Sequence, residues 1–291
     1  MNGAVKTKVR ETLLFQLFAF RLSDRAALRF AQLLGESFLL MTLSLWLPYV
    51  MHFEQSAVYS LFVVSFILME RVDFLLAENK HNIWTRKWSG WKSNTLSIGS
   101  ILAIFSGIFL SSFLFGHALI WLNALQGFKE SFAFFLQGME LEPSVDLASR
   151  FQGFLPILAH NFKVLVTLSV VTICYRGYGL ILVLGWNGCV WGGVFGLLFY
   201  HSFAGKGTFG VWVVFQAFIA VLPHLFLEAS AYVAGALAAL FFSKAVTKYE
   251  PGDSRLAQVY RVSLFLLFIA IILLFLGGAA EVSIPPKILP F

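Results

Sequence analysis

The chain has 291 residues, of which 59% are hydrophobic and only 12% are charged, so it carries more apolar sequence than a soluble domain of this length can bury. A soluble enzyme is therefore excluded, and the composition predicts an all-α polytopic membrane helix bundle with about seven transmembrane helices. The formal net charge of +6 is scattered over connecting segments, which is typical of topology determinants and argues against binding to nucleic acid.

Residues 1–32 form a basic, amphipathic segment. Apolar residues crowd its first half, and Arg21, Arg25 and Arg29 then recur every four residues, which places the cations on one face of a helix. This pattern predicts a helix on the cytoplasmic surface of the membrane, with its cations near anionic lipid headgroups. The alternative is a solvated arm that precedes the first span.

Residues 33–93 add two transmembrane helices and a basic connector. Leu33–Met51 and Ser56–Ala77 are each about 20 residues long, enough to cross a hydrocarbon core of roughly 30 Å. The alternative for this tightly linked pair is a re-entrant hairpin. The connector Lys80–Lys92 combines cations with tryptophans, which is typical of the cytoplasmic interface of a membrane protein.

Residues 94–291 are predicted to form a five-helix transmembrane core. Its spans are expected at about Thr95–Leu122, Pro156–Tyr175, Leu180–Tyr200, Phe209–Phe242 and Val259–Val282. Small residues recur at every fourth position in the third, fifth and sixth spans of the chain, which indicates close helix packing. The outer loop, residues 123–155, is rich in acidic residues and suits the non-cytoplasmic side. Its phenylalanines predict a short helix resting on the membrane.

The distribution of cations predicts the orientation of the chain. A cytoplasmic N-terminus places the basic N-terminal segment, the Lys80–Lys92 connector, Arg176 and the Lys244–Arg255 link on the same side of the membrane. All of these segments then carry lysine or arginine on the cytoplasmic side, as the positive-inside rule requires. We therefore expect a multi-pass protein of the cell membrane with its C-terminus outside.

Six polar residues interrupt the core spans and are candidates for one shared site. An ionised side chain costs about 2.5–3.5 kcal/mol in hydrocarbon, so these groups must find partners. Pro223 precedes one of them and predicts a break in its helix. Because the stripes of small residues bring spans together, we expect a polar cluster inside the bundle formed by His160, Asn161, Asn187, His224, Glu228 and Glu281.

The expected cluster has a structural and a chemical interpretation. In the structural one, the two asparagines make interhelical hydrogen bonds and the histidine at 224 forms a buried ion pair with an acid. In the chemical one, a divalent metal such as zinc is held or protons are relayed, the candidate ligands being His160, His224, Glu228 and Glu281. His224 and Glu228 are four residues apart and share a helix face, but the sequence lacks the His-Glu-x-x-His pattern of zinc peptidases.

The order of these residues resembles that of a known family. His160-Asn161, Asn187-Gly188, Leu222-Pro223-His224 with Glu228, and Ala280-Glu281 with Pro285 are similar to the motifs of the stage II sporulation protein M family of integral membrane proteins. The resemblance covers roughly residues 94–291. The family's namesake is a non-enzymatic membrane scaffold that holds peptidoglycan-degrading enzymes in spore-formers, so the resemblance implies a scaffold role.

Three functional hypotheses follow. The leading one is a non-enzymatic integral membrane scaffold or assembly subunit of a cell-envelope remodelling complex, without a cofactor, whose partners are membrane lipids and membrane or envelope proteins. The second is an intramembrane metal-dependent hydrolase in which Glu228 or Glu281 acts as general base on a water bound by His224 and His160. The third is a permease or ion-translocating subunit with Glu228 and His224 as a proton relay.

Overall fold

The computed structural model of the chain consists of α-helices joined by short connectors. It describes residues 22–23, 25–122, 124–134, 154–206 and 208–282, without the side chains of residues 197–215 and 217. These ranges contain seven helices and no strand, namely α1 (Ala26–Val50), α2 (Ser56–Trp84), α3 (Gly90–Trp121), α4 (Leu125–Phe132), α5 (Phe154–Lys206), α6 (Thr208–Lys248) and α7 (Ser254–Val282). The predicted all-α architecture is confirmed for this part of the chain.

Five of these helices contain stretches that are long and apolar enough to cross a membrane. The stretches are Ala26–Val50, Gly90–Trp121, Phe154–Gly196, Phe218–Lys248 and Ser254–Glu281. Helix α2 lacks such a stretch because Glu70, Arg71 and Asp73 interrupt its apolar sequence. With this many apolar helices packed together, the chain is a membrane protein built as a helix bundle.

Helix α5 consists of two helical segments that meet at Arg176. The backbone of Arg176 has φ 55° and ψ −128°, which is not a helical conformation, so the chain changes direction there. Gly179 lies close to the backbone of Val171, where a side chain at position 179 would collide with the carbonyl group. The two segments of α5, residues 154–175 and 177–206, therefore correspond to the predicted fourth and fifth spans.

Helix α1 begins at Ala26, upstream of the predicted first span. Arg29 is buried inside this helix, and its guanidinium donates hydrogen bonds of 2.9 and 2.5 Å to the two carboxylate oxygens of Glu78 in α2. The expectation that Arg29 lies among lipid headgroups is therefore wrong, because Glu78 offers it a bidentate partner within the bundle. Most of the expected surface helix, residues 1–21 and 24, lies outside the described residues.

Helices α1 and α2 are both long enough to cross a membrane. They have 25 and 29 residues, so at 1.5 Å per residue each exceeds the roughly 30 Å of a hydrocarbon core. Of the two, only α1 contains a stretch that is also apolar enough to span. A buried ion pair also joins them, since the Arg71 guanidinium donates to both carboxylate oxygens of Glu36, with the shortest N···O distance at 2.8 Å.

The stripes of small residues form three different helix interfaces. Gly107 of α3 packs against the backbone of α1, and Gly192 in the second segment of α5 packs against α3. Gly235 of α6 packs against Leu165 in the first segment of α5 and against α7. The sequence predicts that the stripes bring the third, fifth and sixth spans together. The fifth span does pack against the third, but the stripe of the sixth span lies against the fourth and seventh spans, so α6 lies between α5 and α7.

Helix α4 occupies the start of the predicted outer loop. Its residues Phe128 and Phe132 are buried against Phe115 and Gly116 of α3, whereas a helix resting on the membrane surface would direct them into lipid. The short helix is thus present, but it packs into the bundle because two aromatic rings fill the space beside Gly116. Of the acidic residues expected to mark this loop as external, Glu130 lies in α4, whereas Glu140, Glu142 and Asp146 lie outside the described residues.

Candidate functional site

His224 and Glu228 lie one turn apart on α6, so their side chains point to the same face of that helix. Both side chains are buried, and α6 is the most deeply buried of the five apolar helices. The helix continues through Pro223, so the predicted break at this residue is wrong. An uninterrupted α6 therefore presents an imidazole and a carboxylate, at fixed spacing, to the helices on either side.

Glu281, in the last turn of α7, completes a cluster that we call the His-Glu-Glu cluster (His224, Glu228 and Glu281). Nε2 of His224 lies 3.5 Å from Oε2 of Glu228 and 3.3 Å from Oε2 of Glu281. One ligand atom of each residue lies within 4.8 Å of the other two. The side chain of Glu281 is 17% exposed, against 9% for His224 and 6% for Glu228. The cluster is therefore most accessible at Glu281, near the end of α7.

Two further contacts hold the His-Glu-Glu cluster in place. Nδ1 of His224 lies 3.1 Å from the carbonyl oxygen of Gly277, and the side-chain amide of Asn161 donates a hydrogen bond to Oε1 of Glu228. Asn161 belongs to the first segment of α5, so three helices meet at the cluster. A Cβ atom at position 277 would lie 3.3 Å from Cγ of Glu228, which explains how α7 comes so close to α6.

His160 and Asn187 do not join the cluster, and the expectation of six converging residues is wrong in these two. His160 is exposed, because Asn161 points into the bundle and successive helical residues are turned by about 100° from each other. The side-chain amide of Asn187 donates to the carbonyl of Val183 in its own helix. The structure therefore brings together four of the six residues, Asn161, His224, Glu228 and Glu281.

Other buried polar contacts, in the N-terminal helices, are not predictable from the sequence alone. They include the pairs Arg29–Glu78 and Arg71–Glu36, and the amide of Asn79, which donates to Asn94 and Ser97 at 3.1 and 2.7 Å. These partners come from different helices. A usable signal does exist at Glu36, because a lone acid inside an apolar run must have a cationic or polar partner.

A group of cations collects at the opposite end of the bundle from the His-Glu-Glu cluster. We call it the basic end, and it comprises Lys80, Arg176, Lys244, Lys248 and Arg255. Lys244 pairs with Asp73 of α2 at 2.5 Å, Arg176 donates to Thr247 at 3.3 Å, and Arg255 pairs with Asp253. These contacts join the C-terminal half of α2, the junction of the two α5 segments and the C-terminal end of α6.

Some charges at the basic end lack an acidic partner. The neighbouring Lys248 side chain lowers the pKa of Lys80, and burial and the charge of Arg255 lower it further. Lys80, Lys248 and Arg176 are exposed, and none of the three has a carboxylate partner among the described residues. Closely spaced cations without acids favour an anionic partner from outside the bundle.

The two ends of the bundle therefore offer different chemistry. The His-Glu-Glu cluster presents one imidazole nitrogen and two carboxylate oxygens in a buried setting, a donor set that can share a proton or bind a divalent ion. The basic end presents solvent-accessible cations that can pair with an acidic surface.

Comparison with known proteins places most of the chain in one family. The family model described as stage II sporulation protein M matches residues 100–286, which is more than half of the chain. The match includes Asn161 and all three residues of the His-Glu-Glu cluster. Comparisons with curated proteins and with solved structures gave no match.

Proposed function

The chain belongs to the stage II sporulation protein M family, and from that premise we propose that it is a non-enzymatic membrane scaffold or assembly subunit of a cell-envelope remodelling complex. In this proposal the protein is a multi-pass protein of the cell membrane. Its bundle presents one docking surface to the cytoplasm and another to the outside, so that partners on the two sides are held at one place.

The proposed topology has seven crossings, with the N-terminus in the cytoplasm and the C-terminus outside. The crossings are α1, α2, α3, the two segments of α5, α6 and α7, whereas the eight residues of α4 are too few to span. Support comes from the basic end, because Lys80, Arg176 and Lys248 lie beside the connectors that this topology assigns to the cytoplasm. The positive-inside rule assigns the same side to them.

The observation that carries the scaffold proposal is the basic end itself. Lys80, Lys248 and Arg176 have no acid beside them within the described chain, and the pKa of Lys80 is lowered by the neighbouring Lys248, by burial and by the charge of Arg255. An acidic segment of a cytoplasmic partner would relieve this repulsion. Charges of this kind steer association and select partners, which is what an assembly subunit requires.

Charge reversal at the basic end should release the cytoplasmic partner. In the variant with both Lys80→Glu and Lys248→Glu, we expect co-purification of the bound envelope proteins to fall at least about tenfold, because attraction becomes repulsion at two contacts. The measurement is quantitative mass spectrometry of proteins that co-purify with the full-length chain from its native membranes. A neutral detergent is used, so that anionic lipid does not substitute for the partner.

Lys129→Glu is the matched control for this experiment. It makes the same charge change at an exposed residue of α4, on the opposite end of the bundle, and should leave cytoplasmic partners bound. Raising the salt concentration should mimic the charge reversal, because exposed charges are screened within about 10 Å at 0.1 M salt. A wild-type chain that purifies alone, or equal binding by all the variants, would contradict the scaffold proposal.

A further inference from the structure

The tautomer of His224 determines what the His-Glu-Glu cluster can bind. Nδ1 lies 3.1 Å from the carbonyl oxygen of Gly277, and a carbonyl can only accept a hydrogen bond, so Nδ1 carries a proton. In a neutral imidazole the lone pair is then on Nε2. That nitrogen faces the carboxylates of Glu228 and Glu281. A backbone carbonyl in this position is the usual partner that orients a metal-binding histidine.

The distances within the cluster fit a shared cation better than direct hydrogen bonds. A charged N–H···O bond to a carboxylate is about 2.7–2.9 Å long. Here the separations from Nε2 to the two carboxylate oxygens are 3.5 and 3.3 Å. Two ligands bound tetrahedrally to zinc at about 2.1 Å lie roughly 3.4 Å apart, which matches the two separations from Nε2. The ligand atoms of all three residues lie within 4.8 Å of one another, so the two carboxylates would move closer together when the ion binds.

The charge of the His-Glu-Glu cluster also favours a bound cation. With both carboxylates ionised and the imidazole neutral, as binding of a metal ion requires, the cluster would carry a net charge of about −2, which is expensive in a buried, low-dielectric site. A divalent cation brings this charge to zero. Among the described residues, no lysine or arginine forms an ion pair with Glu228 or Glu281, so the chain itself does not supply this charge.

We propose that Nε2 of His224, Oε2 of Glu228 and Oε2 of Glu281 bind one zinc ion. Nitrogen and oxygen ligands of this kind suit zinc, and three protein ligands leave a fourth position for water. Asn161 acts as a positioning residue, because its hydrogen bond to Oε1 of Glu228 leaves Oε2 directed at the ion.

The zinc ion would connect α6 to α7, and Asn161 would couple the first segment of α5 to the same site. This inference does not rest on the scaffold role, since the cluster and the basic end lie at opposite ends of the bundle. The two proposals are tested with different variants and different measurements. Failure of one therefore leaves the other unaffected.

The test measures zinc on the full-length, tag-free chain purified in detergent without chelators. Mass spectrometry of the metal content should give about one zinc per chain, and X-ray absorption should show nitrogen and oxygen ligands at about 2.0–2.1 Å. Glu281→Gln and His224→Ala should each reduce zinc to below about 0.1 per chain, because a site of three ligands loses one of them. Glu281→Gln keeps the side-chain shape, so a folding defect in His224→Ala does not weaken the test.

Two sets of variants make the result specific. His52→Ala and Glu54→Gln alter an exposed histidine and an exposed acid in the α1–α2 connector and should leave the zinc content unchanged. Asn161→Leu should weaken zinc binding about 10- to 100-fold in calorimetric titration of chelator-stripped protein, as expected for loss of an orienting hydrogen bond.

A wild-type chain that takes up no zinc in this titration would overturn the proposal. Equal zinc content in the wild type and in Glu281→Gln would also overturn it, as would sulfur ligands in the absorption spectrum, which would indicate Cys174 or another adventitious site.

Discussion

Replacing Arg71 with methionine should destabilise the folded bundle by about 3–5 kcal/mol, because it leaves the carboxylate of Glu36 charged, buried and without its cation. The side chains of Arg71 and Glu36 are 3% and 4% exposed, so water cannot take over the role of the missing guanidinium. Both carboxylate oxygens of Glu36 accept hydrogen bonds from Arg71, and all of these bonds are lost together. Unfolding of the purified protein in mixed detergent micelles measures the change.

The double variant Arg71→Met with Glu36→Met separates charge from shape. Replacing both members of a buried pair by apolar residues of similar size is often neutral, so the double variant should recover stability to within about 1 kcal/mol of the wild type. Lys244→Met serves as the surface control. Its partner Asp73 is 45% exposed, and loss of such a pair costs about 0–1 kcal/mol. If Arg71→Met were as stable as Lys244→Met, the buried pair would not be a principal contact between α1 and α2.

Hydropathy predicts the helices of this chain because length and apolar composition are local properties. The link between the predicted fourth and fifth spans coincides with the kink at Arg176, since arginine and two nearby glycines interrupt an otherwise apolar run. The placement of Arg29 could not be predicted, because its partner Glu78 is 49 residues away and lies in another helix. The position of Phe132 depends in the same way on a tertiary contact, the space beside Gly116 of α3.

The candidate site could likewise be predicted only where it depends on local spacing along one helix. Residues four apart on one helix share a face, so the pairing of His224 with Glu228 follows from spacing alone. The choice between His160 and Asn161 does not, because neighbouring residues point about 100° apart and no periodicity within a uniformly apolar span identifies the inner face. The contact with Gly277 is also invisible in the sequence, although it determines which nitrogen of His224 faces the two acids.

Gly107→Ala should destabilise the bundle by about 1–3 kcal/mol, the usual range for overpacking a tight interface. A Cβ atom at this position would overlap Oγ of Ser37 and the backbone of Leu34 and Phe38, and backbone atoms cannot move aside as a flexible side chain can. Helices α1 and α3 would have to separate. The α1–α3 interface joins the N-terminal helices to the part of the chain matched by the family model. The contact of α1 with α3 should therefore weaken before contacts within the matched part.

Gly35→Ala is the matched control, and it should have the opposite sign. Gly35 lies on α1 as well, but nothing lies within 4 Å of the place where its Cβ atom would be. Alanine there removes backbone freedom from the unfolded chain, so we expect no loss of stability and a gain of up to about 1 kcal/mol. Thermal unfolding of the two variants in one detergent compares them directly. Equal changes in both would mean that helix propensity, rather than the close approach of α1 to α3, explains why glycine occupies position 107.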